Sequence, residues 1–369
     1  MTIKQALLTA GLVSLMLTSV SYVNKKKIDS YHLKSGVNIT CFEKQEFSSR
    51  EESSIDRLIE SGFSTIALNP IYFQDNIESS EIEQQSSFDE KHLDDLITYA
   101  QSRGLDVMLK PLINTKSDES RTQIMPQNID EWFQNYNNIL VSLAKLGRKH
   151  DVYGMTIMCE LDSLLIHYPK KFEETISKIK ETGFNGKLTA AVVYHDESCN
   201  EKIEILNQLP IDFIGIDFYV SMLQSDLSKE EKFYEQLYYL EKIQSIAQKP
   251  LLIAEVGYRS VENGNKRPMY NYRIKGNKDQ EIQKESYENF IKAYTHKKLD
   301  KNKLEGIFFW ITDSQHLYTH DILETPVQFG IPWEIGYTPF NKPAEEVMKK
   351  YNKDRLWFKY PNKLIQRTN

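Results

Sequence analysis

The alternation of short apolar segments with amphipathic helical segments, repeated eight times, constrains the fold of this chain more than any other feature. Most of the apolar segments are near-continuous, as expected for parallel strands that helices cover on both faces. Eight strand–helix repeats predict an α/β fold of the closed (β/α)8 type, a TIM barrel. An open doubly wound sheet is the alternative, but no G-x-G-x-x-G follows the first strand. The predicted strands are 36–40, 65–69, 106–110, 154–159, 188–193, 213–217, 251–254 and 306–310.

The segments between these strands have recognisable helix ends. Asn128 followed by Glu131 is a capping-box pattern, and apolar residues then recur at helical spacing up to Gly147. No shift in composition divides the chain, so we predict one barrel domain over 35–369, preceded by a separate segment, 1–34. Three long segments, 74–87, 262–278 and 312–341, are predicted to be loops at the carboxyl ends of strands two, seven and eight.

The N-terminal segment contains an apolar run from Ala6 to Val23, between Lys4 and the cluster Lys25, Lys26 and Lys27. This pattern indicates a secretory signal peptide or a single membrane anchor. Basic residues after the run favour cleavage, because an uncleaved anchor would place positive charge on the exported side. In both cases we expect an extracellular protein, or one anchored in the membrane and facing outside.

Composition excludes several classes of partner. A formal charge of −6 and a pI near 5.9 leave no basic surface for nucleic acid. The three cysteines, Cys41, Cys159 and Cys199, lack zinc-like spacing, and we predict neither a metal site nor a disulfide framework. We expect a monomer that needs no cofactor.

Two glutamates are placed to perform chemistry. Glu160 comes directly after predicted strand four and Glu255 directly after strand seven, so both side chains should reach the same mouth of the barrel. A pair of carboxylic acids is what glycoside hydrolysis requires. Glu160 follows an apolar stretch that favours a raised pKa and the role of acid, whereas Glu255 precedes Tyr258 and Arg259, which supply hydrogen-bond donors and positive charge.

Three longer segments, 153–161, 212–219 and 249–260, resemble glycoside hydrolase family 113, a clan A family described as endo-β-1,4-mannanases. Residues 109–111, 306–310, 337–339 and 342–344 extend the resemblance over nearly the whole barrel. The resemblance implies that Glu160 is the acid/base and Glu255 the nucleophile of a double displacement. It also implies that Tyr219 donates a hydrogen bond to the nucleophile and that Trp310 forms the stacking floor of the −1 subsite.

Two positions depart from the clan pattern. Cys159 precedes the acid/base where clan A enzymes commonly have Asn, and Cys is a weak hydrogen-bonding residue. Asn114 stands where we expect an acidic residue. The sugar and linkage, and endo or exo action, are therefore left open. Further substrate-binding candidates are Asn38, Lys110, Asn114, Tyr194, Tyr258 and Arg259, and His195, His316, Tyr318 and Trp333 are weaker candidates near the cleft.

Three functions fit these observations. The first is a retaining β-glycanase, mannanase-like by the resemblance. The second keeps the mechanism but acts on a bacterial cell-surface or exopolysaccharide, motivated by the membrane segment and Cys159. The third is a non-catalytic barrel that binds polysaccharide, which the presence of two buried carboxylates argues against because they would repel each other without a role.

Overall fold

The computed structural model describes residues 33–40, 47–84, 86, 89–221, 228–266, 268, 276–313 and 333–359, with backbone alone at 311–313, 333 and 355–359. Contacts divide the chain into two units, Lys34–Lys353 and a second unit of Met1–Leu33 with Asp354–Asn369. The apolar run Ala6 to Val23 lies outside the described residues. Within the described part of the chain, no helix has the length and hydropathy needed to cross a membrane.

Eight parallel strands close into a barrel, and this confirms the predicted (β/α)8 fold. Going around the barrel, the strands follow the order β1, β10, β9, β8, β7, β6, β4, β2. Because β2 also pairs with β1, the barrel is closed and has no open edge. Their bounds are β1 Lys34–Thr40, β2 Thr65–Asn69, β4 Asp106–Leu109, β6 Gly154–Cys159, β7 Lys187–Tyr194, β8 Phe213–Phe218, β9 Leu251–Val256 and β10 Leu304–Asp313.

Helices separate successive barrel strands, and they begin where the sequence places helix-capping residues. Asn128 accepts a hydrogen bond from the Glu131 amide at the start of the longest one, as predicted, although this helix continues two residues beyond Gly147. The helices are α1 Ser49–Glu60, α2 Glu90–Ser102, α3 Ile129–Lys149, α4 Asp162–His167, α5 Pro169–Glu181, α6 Asn200–Gln208, α7 Lys229–Ile246, α8 Gln280–Tyr294 and α9 Pro343–Lys359.

Two strands outside the barrel were not predicted. They are β3 (Ile71–Gln74) and β5 (Leu112–Thr115), and they pair in parallel as a separate sheet. Pro70 lies between β2 and β3, and Pro111 interrupts the backbone between β4 and β5. Because proline lacks an amide donor, each barrel strand ends there and the chain continues into the small sheet. The expectation that all of 74–87 is a loop was therefore wrong at its first residue.

The barrel interior is filled by alternating small and large side chains. Gly36 leaves room for the ring of Phe308, since a Cβ atom at this glycine would approach the ring to 2.4 Å. Such interdigitation makes the interior a packed core, so substrate can bind only at an end of the barrel. One buried cluster in this interior consists of Ala67, Met108, Ala191, Phe213, Leu252, Ala254 and Phe308.

Candidate active site

The two predicted catalytic glutamates both lie at the carboxyl end of the barrel. Glu160 follows the last residue of β6, as predicted, whereas Glu255 lies within β9 rather than after it. Glu255 is aligned with Asp217 of the neighbouring strand β8, after an irregularity in the register next to Ile216. Asp217 thereby becomes a third carboxyl group of the site.

The backbone of Glu160 has an unusual conformation. Its φ of 55° is in the left-handed region, which glycine adopts freely and other residues rarely do. The Glu160 amide donates a hydrogen bond of 2.9 Å to the Ala191 carbonyl of β7, which holds this conformation. Strained backbone of this kind is typical of functional positions, where the side chain is needed and glycine cannot replace it.

Both carboxylate oxygens of Glu255 accept hydrogen bonds from buried donors. The Tyr219 hydroxyl donates to Oε2 over 2.7 Å, and the Lys110 ammonium donates to Oε1. The Cys159 thiol lies 3.9 Å from Oε1. These contacts fix the orientation of the Glu255 carboxylate and supply it with a positive counter-charge.

Lys110 connects Glu255 to the rest of the site. Its side chain is 1% exposed, and its ammonium lies 3.7 Å from Asp217 Oδ1 and 3.4 Å from Asn38 Oδ1. Burial opposes the charged form, but electrostatic interactions with Asp217, Cys159 and Glu255, together with the hydrogen bond to Glu255, outweigh it and raise the Lys110 pKa. Lys110, predicted as a substrate ligand, is thus in direct contact with Glu255, with its ammonium 5.4 Å from the centre of the Trp310 ring.

The surroundings of Glu160 favour a carboxylic acid over a carboxylate. Burial raises the Glu160 pKa to about 7, and repulsion from Glu255 adds to this while Arg121 opposes it. The Arg121 Nε atom is 3.6 Å from Glu160 Oε2, and the Glu160 side chain remains 15% exposed. A group that titrates near neutrality can both donate and accept a proton during one catalytic cycle.

Asp217 and Cys159 complete the buried cluster. Burial, followed by the charge of Glu255, raises the pKa of Asp217 well above its usual value, although the Lys110 ammonium opposes this shift. Burial likewise raises the pKa of the Cys159 thiol. Cys159, Asp217 and Glu255 have the mutual spacing of metal ligands, but the Lys110 ammonium lies beside Glu255 and Asp217 and would repel a cation.

A group of aromatic and aliphatic side chains stands beside this cluster. Trp310 and Tyr219 belong to it and are 6% and 4% exposed. An indole at this position provides the flat apolar surface on which a pyranose ring can stack. The remaining members come from the small sheet, from β6 and from the segment before α9: Ile71, Leu112, Cys159 and Tyr337, with Phe73 packed against them.

Three predicted substrate ligands have partners in the outer layer of the fold. The Tyr194 hydroxyl donates to Asn200 in the first turn of α6, and the Tyr258 hydroxyl accepts from Gln236 of α7. Arg259 Nε donates to the Ile335 carbonyl over 3.0 Å. These contacts do not support a role in binding substrate. The sequence placed the residues near strand ends correctly but did not show toward which side each points.

Two other candidates lie within the site but contact protein groups. The Asn38 amide donates to the Ala254 carbonyl, next to Glu255, over 2.9 Å. Asn114, at β5, accepts a 2.7 Å hydrogen bond from Arg121. Sequence reasoning missed Arg121, which lies in a polar segment after β5 and has no motif of its own. His316, Tyr318 and the Trp333 side chain lie outside the described residues.

Comparison with known proteins gives a family match. The model of Glycoside Hydrolase Family 113 matches residues 40–331. No curated protein matches the chain.

Solved structures similar to this one include a GH113 β-1,4-mannanase, with a TM-score of 0.73 and 22% identity over 87% of this chain and 99% of that one. The GH113 β-mannanase of Alicyclobacillus acidocaldarius in complex with ManMIm has a TM-score of 0.70 and 18% identity, over 89% and 99%. A xylanase of Cellvibrio japonicus in complex with xylopentaose has a TM-score of 0.56 and 12% identity, over 88% and 67%. At these identities the structures show the shared barrel fold.

Proposed function

Since this chain belongs to glycoside hydrolase family 113 and is a retaining, mannanase-like glycoside hydrolase, we propose that it cleaves β-1,4-linked mannan or glucomannan within the polymer. Two solved members of the family that resemble it are β-mannanases, which supports this substrate class. We further propose that Glu160 is the acid/base and Glu255 the nucleophile.

In the first step, Glu255 attacks the anomeric carbon while Glu160 donates its proton to the departing glycosidic oxygen. The bond to that oxygen breaks, and a covalent glycosyl–enzyme intermediate forms on the Glu255 carboxylate. In the second step, the ionised Glu160 takes a proton from a water molecule, whose oxygen attacks the same carbon and releases Glu255. Two inversions leave the configuration of the sugar unchanged.

The observation that carries this assignment is the difference between the two carboxyl environments. Glu255 accepts hydrogen bonds on both oxygens, one from the cation Lys110. Glu160 has a pKa raised to about 7. An ionised carboxylate beside a protonated one is the arrangement that double displacement needs before the first step.

Replacing each glutamate in turn tests the assignment. Glu255→Ala should abolish hydrolysis of an activated aryl β-glycoside, and azide should restore turnover and give a glycosyl azide of inverted configuration. Glu160→Ala should instead give the retained azide, because the nucleophile is still present. Full activity of Glu255→Ala without azide would refute the assignment, and identical azide products from both variants would refute the division of roles.

The substrate is tested separately with a panel of polysaccharides. Purified protein should release oligosaccharides of mixed length from β-mannan or glucomannan, as an enzyme that cuts within the chain does. Cleavage of isolated bacterial wall or exopolysaccharides with no action on mannan would favour the second substrate class instead. Glycan binding without hydrolysis after long incubation would favour a non-catalytic barrel.

We also propose that the protein acts outside the cytoplasmic membrane. The apolar run Ala6 to Val23, followed by a basic cluster, supports export. Cell fractionation with N-terminal sequencing of the recovered protein tests this, and recovery of the intact chain from the cytoplasm alone would contradict it. Sequencing also separates a cleaved signal peptide from a retained anchor.

A further inference from the structure

The turn that follows β7 brings three different metal-ligating side chains together. They are His195, Asp196 and Cys199, and one ligand atom from each lies within 4.8 Å of the others. The Cys199 sulfur is 3.5 Å from His195 Nδ1, and His195 Nε2 is 3.6 Å from Asp196 Oδ2. None of the three takes part in the hydrolytic mechanism.

The sulfur–nitrogen separation is the one that zinc ligands have. Zinc binds cysteine sulfur at about 2.3 Å and histidine nitrogen at about 2.0–2.1 Å in tetrahedral geometry. Two such bonds at the tetrahedral angle hold the sulfur and nitrogen atoms about 3.5 Å apart. The Cys199–His195 distance therefore requires little movement to admit the ion.

The surrounding hydrogen bonds orient these side chains. Asp196 Oδ1 accepts from the Ser198 amide and hydroxyl, over 2.8 and 2.5 Å, and Oδ2 lies near His195 Nε2. An ion held by Cys199 and His195 Nδ1 lies on the other side of the ring, so the Asp196 carboxylate must turn toward Nδ1 to join it. Cys199 is buried at the start of α6, whereas the His195 and Asp196 side chains are 41% and 51% exposed. The site is thus anchored at its sulfur and open to water at its outer side.

The charges of the cluster also suit a divalent cation. A thiolate and a carboxylate together balance two positive charges, and neutral imidazole adds none. The nearest buried cation is Lys202, which donates to Asp162 over 2.5 Å and to the Val193 carbonyl over 2.7 Å, and which also hydrogen-bonds Cys199. Zinc must therefore replace the contact between Lys202 and Cys199. Unlike Lys110, whose partner Glu255 would itself be a ligand, Lys202 keeps Asp162, a carboxylate outside the cluster, as its counter-ion.

We propose that His195, Asp196 and Cys199 form a zinc site outside the catalytic centre, with water as the fourth ligand. Zinc accepts sulfur, nitrogen and oxygen ligands together, which magnesium and calcium do not. The ion joins the end of β7 to the start of α6 and stabilises this turn. The sequence prediction of no metal site rested on cysteine spacing alone, and this site has a single cysteine.

Cobalt is the probe, since it replaces zinc and absorbs visible light in tetrahedral sites. Full-length protein freed of metal should bind one Co²⁺, with a thiolate-to-metal charge-transfer band, and equimolar Zn²⁺ should remove that band. Cys199→Ser and His195→Gln should each weaken binding more than about 100-fold, because loss of even outer-shell partners costs about 10–100-fold. Cys41→Ser is the matched control and should keep the band.

Zinc should also raise the melting temperature of the parent protein and of Cys41→Ser, but not of His195→Gln. Glu255→Ala should keep the Co²⁺ band and the thermal shift of the parent even where it abolishes hydrolysis, which separates this proposal from the assignment of the glutamates. Absence of the thiolate band in the parent protein would overturn the proposal, as would its persistence in Cys199→Ser. If Cys199→Ser does not fold, His195→Gln decides the question through the same band and the same thermal shift.

Discussion

Lys110 has one positive charge and two acidic neighbours, and these neighbours differ in their contacts with the ammonium. Glu255 accepts a direct hydrogen bond from the ammonium and a second from Tyr219, whereas Asp217 is 3.7 Å from the ammonium and has a raised pKa. The ammonium therefore pairs directly with Glu255 rather than with Asp217, and the raised pKa of Asp217 favours its neutral form. Although the two acids are adjacent in the register, this difference supports Glu255 as the proposed nucleophile.

This difference predicts opposite outcomes for two isosteric substitutions. Asp217→Asn copies the protonated acid and should keep kcat within about 10-fold of the parent, below the about 10²–10⁴-fold that a positioned acid–base group contributes. Glu255→Gln removes the nucleophile and should lower kcat by more than about 10⁴-fold. Steady-state kinetics on an aryl β-mannoside compares them. Equal loss in both variants would show that Asp217 acts as a carboxylate.

Arg121 should set the pH range of the reaction. Its positive charge holds the Glu160 pKa below the value that burial alone would give. Arg121→Met should therefore raise that pKa and move the alkaline limb of kcat/KM upward by about 1 pH unit. Arg121→Lys retains the charge and is the control, for which we expect a smaller displacement. A limb that moves downward in Arg121→Met would contradict this electrostatic role.

Among the residues of the site, those that belong to sequence motifs could be predicted, whereas Arg121, which belongs to none, could not. Glu255 lies in the most specific segment and Glu160 follows a buried strand, so both were predicted as catalytic and the structure brings them to one mouth. Arg121 was missed because its position depends on the folding of a polar segment between β5 and α3. Tyr194 and Tyr258 stay predictions as substrate ligands, and their hydroxyls contact helix residues because proximity to a strand end does not determine side-chain direction.

One buried hydrogen bond connects the small sheet of β3 and β5 to a helix. Trp132 of α3 donates its indole N–H to the Gln74 side-chain oxygen over 2.9 Å, and both residues are buried. This contact fixes the end of β3 against the helix layer. It thereby supports β5, from which the chain continues to Arg121.

Trp132→Phe should lower the free energy of unfolding by about 1–3 kcal/mol, because it leaves the Gln74 oxygen buried without a donor. Adding Gln74→Leu should recover part of the loss, since removing both polar partners is far less costly than removing one. Urea denaturation of the two single variants and the double variant gives the coupling energy. Purely additive losses would show that the hydrogen bond is not what holds the sheet.

The strands of the barrel could be predicted from the sequence, whereas the two strands of the small sheet could not. Near-continuous apolar runs such as 154–159 match the structure residue for residue, because strands covered on both faces leave a strong pattern. Strands β3 and β5 have only four residues each, too few for a period to be recognised. Their positions directly after Pro70 and Pro111 were the available signal.

For the molecule as a whole, the active site reduces stability at neutral and alkaline pH. The Glu160 pKa is about 7 in the folded protein against an ordinary value of 4.5, so the folded state holds the proton more tightly than the unfolded state. This tighter proton binding contributes a stabilisation of the folded state that is fully present below about pH 4.5 and is lost as pH rises through 7. The loss is on the order of 3 kcal/mol.

Glu160→Gln, which cannot ionise, should therefore be more stable than the parent at pH 8 and nearly equal to it at pH 4.5. Unfolding free energies from urea titrations across this range measure the difference. Lys91→Gln on the exposed face of α2 is a control and should show no such trend. A variant that gains stability only toward acidic pH would contradict the assigned direction of the pKa shift.

The two prolines after β2 and β4 separate a part of the cleft whose residues belong to the closed barrel from a part whose residues belong to the small sheet. Up to Pro70 and Pro111, each strand is fixed by its neighbours in the closed barrel, and this part includes Lys110 beside Glu255. Beyond them, the chain pairs as a two-stranded sheet that contacts the helix layer through Trp132. A combinatorial library in residues 71–74 and 112–115 that keeps Gln74 and Asn114 would thus reshape one wall of the cleft, while the barrel strands that carry Lys110 and Glu255 stay in register.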